Sequence, residues 1–130
     1  MNKRNLLAAT VTAVFLVLTA APRHIRADET QEKDAIAYKQ AYKLILESQW
    51  AEALKAMEGV VKDFPKSAWM DDARFWQCYA REKHGQALES VFKCYQEFIN
   101  AYPESEWADD AQANMVRLGN ELSKKGKPEY

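Results

Sequence analysis

Two cysteines, four glycines, four prolines and two histidines are all that 130 residues contain of these types, and each scarcity closes off a kind of chemistry. Cys78 and Cys94 form no C-x-x-C, so a thioredoxin-type redox motif and a cysteine-rich zinc box are both missing. One histidine, His84, lies beyond the N-terminal stretch, without a second His or Cys at ligand spacing. It makes a weak metal ligand and, with no nucleophile beside it, a poor general base. No stretch resembles a glycine-rich phosphate loop. Basic charge is not in excess either: 18 Lys and Arg stand against 19 Asp and Glu. Nucleic acid, which wants a concentrated basic face, is a poor partner. Strand-type alternation is absent throughout, which leaves an all-α chain.

The N-terminus reads as an export signal. Lys3 and Arg4 precede sixteen uncharged residues, Leu6 to Ala21, and Pro22 closes the run. That run is short for a membrane span, which needs roughly 20 residues, and fits a secretory signal peptide. Cleavage after Ala20, Ala21 or Ala27 is compatible with the small residues there. Ala27 is preferred, and an uncleaved anchor is the alternative. No cysteine ends the apolar run, so no lipid anchor and no stable membrane insertion after cleavage are expected. Removing residues 1–27 removes four basic side chains (Lys3, Arg4, Arg23, Arg26) and no acids, leaving 14 basic against 19 acidic and a net charge of −5. Residues 28–124 then form one helical domain, with 125–130 a disordered tail.

What the chain does contain is a repeated junction. Residues 63–73, DFPKSAWMDDA, return 38 positions later as residues 101–111, AYPESEWADDA, with six of eleven identical. Pro65 and Pro103 stop a helix. Ser67 and Ser105 are suited to cap the next. Asp71, Asp72, Asp109 and Asp110 fall in a first turn, where the helix dipole favours negative charge. Trp69 and Trp107 are expected to fix how successive units stack. Around these junctions apolar residues recur at helical spacing, predicting five helices. They begin near Asp34 and run to Ser48-Gln49, then Trp50–Phe64, Ala68–Lys83, Gln86–Ala101 and Glu106–Lys124. His84-Gly85 marks a helix stop. Gly59, inside the second helix, marks either close packing or nothing.

A period of 20–50 residues is the mark of stacked helical repeats. Trp50-Ala51-Glu52-Ala53-Leu54, then Met57, Val60 and Pro65, followed by Pro-x-Ser-x-x-x-Asp-Asp-Ala, resembles the tetratricopeptide (TPR) repeat of the bacterial envelope type. It is similar to the repeat domains of the Tol–Pal-associated periplasmic coordinator and of the barrel-assembly lipoprotein subunit. The likeness covers about residues 36–122. It implies a short right-handed superhelix of antiparallel helix pairs, about two and a half repeats, that binds protein or peptide partners and needs no cofactor. It departs from the family pattern at Ser90-Val91, and at Gln77 and Arg81, where large apolar residues are usual. Because about three units normally share a stable core, a marginal monomer or self-association through the open face of the first helix is expected.

Binding is therefore expected rather than catalysis, with no catalytic residues and no metal ligands. In the family the first helix of each pair lines a concave groove, which implies Tyr38, Tyr42, Arg74, Phe75 and Tyr79 as partner-binding residues. Aromatics with an arginine are the types that anchor interfaces, while core packing is the competing reading for the aromatics. Cys78 and Cys94 flank the Gly85 turn at similar depth. A disulfide would need α-carbons about 5.5–6 Å apart, closer than the 8–10 Å of most helix axes; two buried thiols or a redox pair are the alternatives. The expected protein is a periplasmic or secreted, non-catalytic TPR adaptor or scaffold. An accessory or regulatory subunit of an envelope assembly or enzyme complex is the alternative.

Overall fold

The computed structural model describes residues 23–130, the side chains from residue 28 onward; most of the expected signal peptide lies outside the described residues. Five helices and no strand occur among them: α1 (Arg23–Leu46), α2 (Trp50–Asp63), α3 (Met70–Lys83), α4 (Leu88–Ala101) and α5 (Ala108–Lys124). The first helix starts earlier than Asp34, running without a break across the Ala27–Asp28 junction. None of the five is long and apolar enough to cross a membrane.

Each reversal has a local cause. After α1, Ser48 takes the left-handed region (φ 55), and the Gln49 amide donates to the Leu44 carbonyl at 2.9 Å, satisfying a last-turn acceptor. After α3, Gly85 does the same at φ +82, where a side chain would be strained. Pro65 and Pro103 follow α2 and α4, whose last carbonyls are met by the amides of Phe64 and Tyr102.

The two serines do not cap helices directly. Ser67 Oγ accepts the Trp69 amide at 3.0 Å, and Ser105 Oγ accepts that of Trp107 at 3.3 Å. The chain spends this serine turn before the helix begins, so α3 starts at Met70 and α5 at Ala108, each without a side-chain cap. The hydroxyl-to-amide bonds are of the expected kind, but each helix begins two residues later than expected.

Consecutive helices pack on one another, and α1 also touches α3. Two cores result. One joins Tyr38, Ala41 and Ile45 of α1 with Ala53, Met57 and Val60 of α2 and Ala73 and Ala80 of α3. The other joins Phe75 and Cys78 of α3 with Val91, Tyr95 and Phe98 of α4 and Ala111 and Leu118 of α5. Helix α3 is thus buried on two stripes, and Trp76 packs against both cores.

Residues 125–130, expected to be disordered, fold back. Lys127 pairs with Glu89 on α4, and the Tyr130 ring meets Phe92 edge-on at 5.0 Å. Lys127 is held protonated above its ordinary range by that carboxylate, and Glu89 below its own. At Gly59 an added Cβ would meet nothing within 4 Å, so close packing does not explain that glycine.

Candidate functional site: a cleft between the third and fourth helices

Two of the five residues expected to line a groove are core residues. Tyr38 is 6% exposed and Phe75 3% exposed. Tyr38 stacks on Trp69 with ring centroids 4.8 Å apart, and Phe75 on Trp107 at 4.7 Å. Both lie on the faces where helix pairs meet, so the aromatic pattern that suggested an interface is internal packing. Burial, and next the Asp72 carboxylate, push the Tyr38 phenol well above its usual range.

Tyr42 and Tyr79 are half-buried in a ring cluster: Tyr42 lies 5.1 Å from Trp76, and Tyr79 lies 5.4 Å from Trp76 and 6.0 Å from Trp50. Lys83 sits over the Tyr79 ring at 5.0 Å. Arg74 is exposed. Five positions along a helix rotate a side chain by about 140°, which puts Arg74 and Tyr79 on different faces of α3. The five expected residues therefore form no common surface.

Arg74 instead belongs to a stripe that continues through Gln77 to Arg81, at spacings of three and four, one face of α3. This stripe walls an open cleft of about 320 Å³. Its apolar floor comes from Phe98 of α4 and Tyr102 just beyond its end, together with Cys78 and Cys94. Those cysteines are joined by a disulfide, with α-carbons 5.6 Å apart. The bond ties α3 to α4 at one point in the cleft lining.

The cleft has more hydrogen-bond donors than acceptors. Arg81 reaches across to Glu58 of α2 with Nη2 at 3.5 Å, and its Nε–H is buried without a partner. Gln77, 5% exposed, accepts a 3.5 Å hydrogen bond from Arg74 Nη1. Glu97, on the rim, pairs loosely with Lys93 at 3.7 Å. Guanidinium groups stay ionised across the physiological range and offer planar, paired donors that match a carboxylate. An apolar floor beside them receives whatever carries that carboxylate.

The sequence carried a signal for this cleft. Gln77 and Arg81 interrupt the apolar pattern of α3, and both line the opening.

The acid pairs also have a role beyond the dipole. Asp71 accepts the Ser105 hydroxyl at 2.6 Å, and Asp72 accepts the Trp107 indole N–H at 2.9 Å. Asp72 is also the acceptor for the Tyr38 hydroxyl at 3.5 Å. Among the described residues no three His, Cys, Asp or Glu side chains converge as a metal site would require. No family model matches the chain, and no curated protein and no solved structure matches it.

Proposed function

We propose that this protein is an exported, non-catalytic adaptor of the bacterial envelope. In this reading it is built as a short TPR-like superhelix of about two and a half repeats, and it holds a protein or peptide partner in the α3–α4 cleft. The single observation that carries the reading is the pair of guanidinium groups, Arg74 and Arg81, along one wall of an open cleft whose floor is apolar. A guanidinium offers paired, charge-assisted donors that match a carboxylate. The site therefore favours a carboxylate, from an acidic side chain or a chain end, next to an apolar group resting on Phe98 and Tyr102. The repeated junction at 63–73 and 101–111 supports the repeat architecture. The charge-free run before Pro22 supports export.

The test has two arms. Fractionation of cells with a C-terminal epitope tag places the protein in the periplasm or medium if it is exported; retention in the cytoplasm overturns the export reading. Affinity capture from the envelope fraction with wild type, Arg74→Ala and Arg81→Gln tests the cleft. The expected result is a partner whose recovery falls at least about tenfold in both variants while their melting temperatures stay close to wild type. A partner recovered equally by all three places the docking surface elsewhere.

A further inference from the structure

Helix α5 carries a second, unfilled surface. Its inner side is buried through Ala111, Leu118 and Leu122. On the opposite side Asp109, Ala113, Val116, Asn120 and Lys124 follow one another at spacings of three and four, so they share one face. Val116 is 53% exposed. A shallow groove of about 540 Å³ runs along Ala113, Val116, Asn120 and Lys124.

The repeat identifies what kind of surface this is. Shifted back by the 38-residue period, Asp109, Ala113, Val116 and Asn120 fall on Asp71, Phe75, Cys78 and Glu82 of α3. All four of those residues bind the chain that follows, in α4, in α5 or in the junction between them. Asp71 accepts from Ser105, Phe75 stacks on Trp107, Cys78 is bonded to Cys94, and Glu82 holds Arg117 at 2.6 Å. On α5 these positions start with a charge, Asp109, and continue with small or short side chains, and Lys124 adds a charge at the far end of the same face. The side chains of Asp109 and Lys124 make no ion pair among the described residues.

The geometry points to a second copy of this chain as the occupant, its α5 laid antiparallel across this face. The charge order decides the orientation. With the two helices crossing between Val116 and Arg117, Asp109 of each copy meets Lys124 of the other, and Ala113 meets Asn120. A parallel pair would set Asp109 against Asp109 and Lys124 against Lys124. Small side chains at 113 and 120 let the helices approach closely, leaving Val116 as the apolar centre. Arg117 stays at the margin, tied back to Glu82. One helix of 17 residues per copy gives an interface at the weak, transient end of the range. Its end-to-end ion pairs are exposed and screened by salt. The contact is independent of the α3–α4 cleft, so a bivalent adaptor would keep both clefts open.

Sedimentation equilibrium of the full mature chain over a wide concentration range tests this. Wild type is expected to be a concentration-dependent dimer that weakens as salt is raised. Asp109→Lys and Lys124→Asp, both at exposed helix positions, should each weaken the dimer at least about tenfold. Mixing these two variants should restore a 1:1 pair, and the double exchange Asp109→Lys with Lys124→Asp should recover self-association in a single chain. A wild type that is monomeric at every concentration overturns the proposal. A dimer indifferent to both charge reversals also overturns it, as does a mixture of wild type and Asp109→Lys that associates more tightly than wild type alone, the outcome for a parallel pair.

Discussion

The indole N–H of Trp107 donates to Asp72 across 35 residues of chain, at 2.9 Å. Its neighbour in sequence, Asp71, accepts from Ser105 at 2.6 Å. Adjacent helical residues point about 100° apart, so the two acids cannot share one ion, but they can receive two donors arriving from one turn. The Ser-x-Trp of the second junction supplies those donors. Trp107→Phe keeps an aromatic ring beside Phe75 but removes the N–H together with part of the indole ring. It should cost about 1.5–3 kcal/mol for the hydrogen bond to a charged acceptor, plus the lost ring packing. Urea unfolding of Trp107→Phe, Asp72→Ala and the double variant should show strong non-additivity, since both single changes break one bond. Additive losses would mean that the bond contributes nothing in solution.

The reassignment of Phe75 from groove to core has a direct consequence. Phe75 contacts Tyr95, Phe98 and Trp107 rings at 4.7–6.1 Å. Phe75→Ala should destabilise by about 3–5 kcal/mol through lost transfer energy and the cavity left behind. Arg74→Ala, one residue away and exposed, should stay within about 0.5 kcal/mol. Thermal and urea denaturation of the two variants separates the roles; a Phe75→Ala protein as stable as wild type would return that side chain to the surface.

The Cys78–Cys94 bond closes a loop of 16 residues. A loop of that length removes about 3 kcal/mol of entropy from the unfolded chain in the polymer model. Dithiothreitol, or Cys78→Ser with Cys94→Ser, should therefore lower stability by about 3 kcal/mol and loosen the cleft whose floor includes the bond. Intact mass with and without alkylation under denaturing conditions verifies the bond, and urea midpoints measure its effect.

Much of the fold was legible because the signals were local. Pro65 and Pro103 end helices whatever surrounds them, Gly85 marks its own left-handed turn, and apolar spacing locates all five helices to within a few residues, except the start of α1. What was not legible is tertiary. Periodicity shows that Tyr38 and Phe75 are apolar-face residues but not whether a neighbouring helix covers that face. Trp69 and Trp107 cover them. Likewise no single-helix rule assigns Asp71 and Asp72 their donors, because Ser105 and Trp107 arrive from the next junction. The cleft was half visible: Gln77 and Arg81 broke the pattern, but only the packing of α4 shows that they border an opening.

Gly59 offers a stabilising change. It lies inside α2, where glycine costs about 1 kcal/mol relative to alanine, and an added Cβ would meet nothing within 4 Å. Gly59→Ala should raise stability by about 0.4–1 kcal/mol, partly by restricting the unfolded chain. A melting temperature that falls would show that the space beside α2 is needed, and the nearest candidate is the groove it shares with Ala37 and Leu44 of α1.

Alkaline pH should unfold the protein through a named phenol. Tyr95 is fully buried, and burial, followed by the Glu82 carboxylate that accepts its hydroxyl at 3.4 Å, pushes its ionisation well above the usual range. Tyr38 shifts the same way, for burial and then for Asp72. In the unfolded chain both phenols ionise near pH ~10. Below that value both states are protonated and the contribution to stability is complete. Above it the unfolded state loses the proton first, and stability falls as pH climbs toward the raised folded values. Urea midpoints should show no pH dependence from these groups between about pH 7 and 9 and a decline beyond about 10. Tyr95→Phe should flatten that decline, because the ring stays and the ionisable hydroxyl goes, with Glu82 still held by Arg117. An alkaline slope unchanged in Tyr95→Phe and in Tyr38→Phe would assign the loss to other groups.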